Sequence, residues 1–136
     1  MRGGYLALGA VLLAGCGGGG DKSTAGDEQA VRAVAQSYLN AVANRNWKAV
    51  CATRAPSEVA KFARVGGSCE KVFAALLRKQ PVALLKGARP GAVRIKGDVA
   101  GIDIDRKGQA GKAITLAAVR ENGDWKLKDL PDGQVP

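Results

Sequence analysis

The chain has 136 residues, a formal charge of +9 and no histidine. That is the size of one domain, and it excludes Ser-His-Asp and Cys-His catalytic units and every His-ligated zinc site. Apolar residues make up 46% and aromatics 4%, so wholesale disorder is excluded and the core must be built mainly from Val, Leu, Ile and Ala.

Met1 and Arg2 make a minimal basic start, and residues 5–14 are almost wholly small or apolar. A membrane-spanning helix needs about 20 such residues, so this run is too short to span and fits the apolar core of a secretory signal. Leu13-Ala14-Gly15-Cys16 then resembles a bacterial lipobox. The resemblance implies that residues 1–15 are a lipoprotein signal peptide and that the Cys16 thiol receives a diacylglycerol as the new first residue. It also implies an extracytoplasmic protein, held by its lipid on the outer face of the cell membrane. Residues 17–20 are all glycine. With no apolar face and high backbone entropy, residues 16–26 read as a flexible tether. Once Cys16 carries lipid, Cys51 and Cys69 are the cysteines that remain, in an oxidising compartment. A Cys51–Cys69 disulfide is therefore expected. Closing such a loop contributes about 3 kcal/mol in the chain-entropy account.

Residues 27–44 form a strong amphipathic pattern, with Val31, Val34, Ala35, Tyr38, Leu39 and Val42 on one stripe. Asn46 is an N-cap for a second helical piece carrying Trp47, Val50 and Cys51, which stops at Ala55 because Pro56 disfavours the α conformation before it. Ser57 is expected to cap a third helix, with Val59, Phe62 and Ala63 inward and Gly66-Gly67 at its end. Ser68 caps a fourth, carrying Val72, Phe73, Leu76 and Leu77, and Pro81 opens a last short turn that ends at Gly87. Beyond Pro90 the period changes to two. Strands are expected over residues 92–96, 99–105, 112–121 and 124–130, with hairpin turns at Gly97-Asp98 and Asn122-Gly123. Residues 131–136 read as a polar tail. Helices followed by an antiparallel meander make an α+β domain over residues 27–130.

This order resembles the NTF2-like (ketosteroid-isomerase-like) superfamily, a cone in which N-terminal helices pack on a curved four-stranded antiparallel sheet. The stretch from Tyr38 to Trp47, YLNAVANRNW, is similar to the end of that family's first helix and the turn into its second. The stretch from Glu121 to Leu127, ENGDWKL, is similar to its closing hairpin. Cys51-Ala52-Thr53 and Gly66-Gly67-Ser68-Cys69 resemble the paired cysteines of small NTF2-like lipoproteins of high-GC Gram-positive bacteria. The resemblance implies a cone lined by Tyr38, Phe62, Phe73 and Trp125.

Enzymes of that superfamily need a carboxylate base and a donor facing each other in an apolar pocket. Tyr38, on the apolar stripe, is the available donor. Asp103 and Asp105 alternate with Ile102 and Ile104 and should face away from the helices. Glu58 and Glu70 stand in first turns of helices, where the helix dipole and solvent explain them. With no carboxylate expected in the cone, no catalytic residue, cofactor or metal site is assigned. The basic residues from Arg64 to Lys112 lack interleaved aromatics, which argues against nucleic acid and leaves anionic lipid or a wall polymer. The reading is a non-enzymatic binding or interaction module of the cell envelope, holding a small apolar ligand or meeting an envelope protein. An isomerase- or dehydratase-type enzyme and a structural accessory subunit of a membrane or wall complex are the alternatives.

Overall fold

The computed structural model describes residues 25–106 and 114–136. Residues 1–15, Cys16 and most of the expected tether lie outside the described residues, as do the first two residues of the expected third strand. The chain forms α1 (Ala25–Ala43), α2 (Trp47–Ala52), α3 (Pro56–Gly66) and α4 (Cys69–Leu76), then a 3₁₀ turn (Val82–Leu85). The strands β1 (Arg89–Lys96), β2 (Val99–Asp105), β3 (Ile114–Glu121) and β4 (Asp124–Leu127) follow. They pair as an antiparallel meander in the order β1-β2-β3-β4, so the architecture is α+β.

Local chemistry accounts for most boundaries. The Asn46 side chain accepts from the Ala49 amide at the start of α2, and Ser68 accepts from the Lys71 amide at the start of α4. Helix α3 differs from the expected capping. Its N-cap is Ala55, with Pro56 in the first turn, where a missing N–H costs nothing. The Ser57 hydroxyl instead donates to Glu121 at 2.7 Å. The β3–β4 turn places Asn122 at φ 53° and Gly123 at φ 84°, the left-handed pair of a type I′ hairpin turn.

Helix α1, about 28 Å long at 1.5 Å per residue, lies across one face of the sheet. Val31, Ala35 and Leu39 pack there on Ala100, Ile102, Ile104, Ala118, Trp125 and Leu127. Its C-terminal end, through Ala41 and Val42, belongs to a second cluster with Val50, Cys69, Phe73 and Val82. Tyr38 and Leu85 touch both clusters. The N-terminal end of α1 is pinned by Asp27, which accepts from Trp125 Nε1 at 3.2 Å and Arg120 at 3.1 Å.

The segment between α2 and α3 closes the free edge of β4. The Leu127 amide donates to the Thr53 carbonyl and the Ala55 amide to the Leu127 carbonyl, each at 2.8 Å. An exposed strand edge is thereby covered, and residues 53–55 are carried into the interior. The 131–136 tail folds back over the other face of the sheet. Arg94 Nε donates to the Pro136 carbonyl at 2.8 Å, and a Cβ on Gly101 would stand 2.6 Å from that oxygen. Gly101 is the strand position where backbone approaches backbone too closely for a side chain.

Candidate functional site

The expected Cys51–Cys69 disulfide is present, joining α2 to α4 with its Cα atoms 6.0 Å apart. It fixes the floor of the second core cluster, where Phe62 meets Phe73 edge-on with ring centroids 5.5 Å apart. Trp125 belongs instead to the first cluster, with Arg120 stacked 4.7 Å over its ring. The four aromatic residues expected around one cone are thus divided. Tyr38 borders a cavity of about 480 Å³, while Phe62 and Phe73 pack on each other and Trp125 packs under α1.

That cavity lies between the C-terminal half of α1, the end of α4 and the 3₁₀ turn. Tyr38, Val42, Leu77, Val82 and Leu85 form its walls, with Leu76, Leu84 and Arg106 also lining it. Its size falls within the range of small-molecule sites, roughly 300–1,000 Å³, and its lining is mainly aliphatic. The gap is left where two leucines meet no core partner. Leu76 and Leu84 sit on helical turns whose inward residues, Phe73 and Val82, fill the core, and they are left 64% and 60% exposed.

Behind Tyr38 lies a polar cluster that the sequence did not lead us to expect. Glu58 is not a solvated first-turn residue: it is 6% exposed, and Arg54 beside it is 5% exposed. The helix is rotated from the expected stripe, so Ala55, Glu58, Val59 and Phe62 turn inward while Ala63 is exposed. Arg54 donates to Glu58 Oε2 at 2.7 Å and meets Asp129 Oδ1 at 3.0 Å. The Asp129 amide donates to both Glu58 oxygens, at 3.2 and 3.3 Å. The guanidinium also lies 5.9 Å from the Tyr38 ring centroid and 5.6 Å from that of Phe73, within cation–π range.

Burial raises the Glu58 carboxyl above its ordinary value, against the pull of Arg54 and the Asp129 amide. It raises the Tyr38 phenol too, with Arg54 opposing. On Arg54 burial works against the charge, and the two carboxylates outweigh it, so its pKa is also raised. A signal for this pair was present: Arg54, Glu58 and Phe62 recur every fourth residue, and Phe62 is apolar.

Asp103 stands on the sheet face away from the helices, where Arg94 grips it with two hydrogen bonds at 2.8 and 2.9 Å and Thr115 adds a third at 3.0 Å. Arg94, then Thr115, hold its carboxyl below the ordinary value. Asp105 is exposed. Among the described residues no cluster of acidic, cysteine or histidine side chains could hold a metal ion, and no helix is long and apolar enough to cross a membrane. No protein-family model, curated protein or solved structure matches the chain. The fold and the site therefore define an α+β domain with an apolar cavity beside a buried ion pair.

Proposed function

We propose that the chain is a lipid-anchored, extracytoplasmic protein of the NTF2-like kind, acting in the cell envelope as a non-enzymatic module that holds a small apolar ligand. The observation that carries this reading is the cavity of about 480 Å³ walled by Tyr38, Val42, Leu77, Val82 and Leu85. The Cys51–Cys69 bridge supports it, because such bridges persist in oxidising compartments. So does the lie of α1 across a four-stranded meander, which has the layer order of that superfamily.

The enzymatic alternative needs an ionisable acid free to take a proton from substrate. Glu58 is the buried carboxylate nearest that role, and both its oxygens are engaged by Arg54 and the Asp129 amide. Docking through the outer sheet face draws little support from a surface occupied by Arg94, Asp103, Thr115 and the 131–136 tail.

Mass spectrometry of the intact protein purified from its own membranes tests the proposal. The denatured mass should carry a covalent lipid that Cys16→Ser removes. The native mass should exceed the denatured one by a compound of a few hundred daltons. Identical native and denatured masses, or an unmodified Cys16, would overturn the corresponding half of the reading.

A further inference from the structure

The rim of the cavity, residues 76–86, combines apolar exposure with unopposed positive charge. Leu76 and Leu84 are 64% and 60% exposed and line the same cavity. Pro81 and Ala83 between them are exposed as well. Arg78 and Lys79 precede Pro81, Lys86 follows Leu84, and no acidic residue occurs between Glu70 and Asp98. Arg78, Lys79 and Lys86 are exposed, and none of them takes part in an ion pair among the described residues.

The segment is held firmly. Arg45 reaches across from the end of α1 and donates to the Leu77 and Gln80 carbonyls, both at 2.9 Å. The Leu84, Lys86 and Ala88 amides close successive turns onto Pro81, Ala83 and Leu85. The leucines are thus presented on a fixed platform.

We propose that this rim docks on an anionic lipid bilayer, Leu76 and Leu84 entering the boundary between headgroups and acyl chains while Arg78, Lys79 and Lys86 meet lipid phosphates. A bilayer surface supplies both chemistries that the rim requires, apolar depth and negative charge. Nucleic acid offers charge but gives exposed leucines nothing to enter, and the rim carries no aromatic on which a base could stack. The inference rests on this face alone. It does not require acylation of Cys16.

Hydrogen exchange of the full chain, read by peptide, separates this contact from any made by the N-terminal residues. Vesicles of phosphatidylcholine mixed with phosphatidylglycerol should slow exchange over residues 76–86. Vesicles of phosphatidylcholine alone should not, and high salt should abolish the protection. The Leu76→Asp/Leu84→Asp variant changes two exposed side chains, and its melting confirms the fold. It should lose the local protection. Arg78→Gln/Lys79→Gln should weaken partitioning into the mixed vesicles about 30-fold, from about fivefold per cation near an anionic leaflet. Equal protection by neutral vesicles, equal protection by soluble heparin, or protection that survives the leucine variant would overturn the proposal.

Discussion

Replacing Arg54 with alanine removes the charge that compensates Glu58 in the interior. Arg54 and Glu58 are 5% and 6% exposed and 2.7 Å apart, so solvent compensates the lost partner poorly. Breaking a buried pair by deleting one member costs about 3–5 kcal/mol, and the contacts to Tyr38 and Phe73 add about 1 kcal/mol. Against a total stability of about 5–15 kcal/mol, Arg54→Ala should lower the melting temperature by about 15 °C or more. Urea and thermal melts followed by Trp47 and Trp125 fluorescence measure this directly.

The penalty should also depend on pH. Burial already raises the Glu58 carboxyl, and losing Arg54 removes the main opposing pull. A carboxyl raised in the fold contributes stability that is complete below its unfolded value and is lost as pH rises through the folded one. Arg54→Ala should therefore cost less at acid pH, where protonation removes the Glu58 charge, than at pH 8. The Arg54→Met/Glu58→Leu double variant, which removes both charges, should recover most of the loss. A single-variant loss below about 1 kcal/mol, or a double variant as unstable as the sum of the singles, would refute the argument that this is a compensated buried pair.

Three further outcomes follow from particular contacts. Cys51→Ala/Cys69→Ala, separated by 18 positions, should lose about 3 kcal/mol in urea melts, and dithiothreitol should have the same effect on the wild type. Gly101→Ala would place a Cβ 2.6 Å from the Pro136 carbonyl and 3.0 Å from a Val135 methyl. It should release the 131–136 tail to proteolysis or hydrogen exchange while the melt shifts by about 1 kcal/mol, as for a typical point substitution. Burial raises the Tyr38 phenol above 10.0, so in a Tyr5→Phe chain the remaining tyrosine should ionise above that value by ultraviolet titration. The stability tied to its proton should be complete below about pH 10 and fall as pH rises through the raised value.

The elements that local chemistry dictates were legible in the sequence. Asn46 and Ser68 cap helices because short polar side chains reach free amides, and Asn122-Gly123 turns a hairpin because both residues tolerate positive φ. The α1 stripe from Val31 to Val42 follows from its period, and the disulfide from the odd cysteine count and the expected compartment. The hidden features depend on packing between distant segments. Glu58 reads as a helix-start residue until the pairing of Thr53 and Ala55 with Leu127 draws the α2–α3 junction inward and brings Arg54 and Asp129 to meet it. Ser57 reads as a cap until Glu121, 64 positions away, competes for its hydroxyl. Residues 131–136 read as a polar tail until Gly101 leaves room for their backbone on the sheet. The cavity is a matter of which leucines fail to meet a partner, and no periodicity reports that.

Methyl NMR of the protein as purified, and again after its bound compounds are stripped, reads out whether the cavity holds a ligand. If the cavity carries a ligand, stripping should shift the methyl signals of Leu76, Leu77, Leu84, Leu85, Val42 and Val82 and leave Val31, Ile102 and Leu127, in the sheet-side core, in place. Re-adding the extracted compound should restore them. Spectra that are unchanged by stripping, or that change equally in the sheet-side core, would contradict the account of this domain as a ligand-holding module.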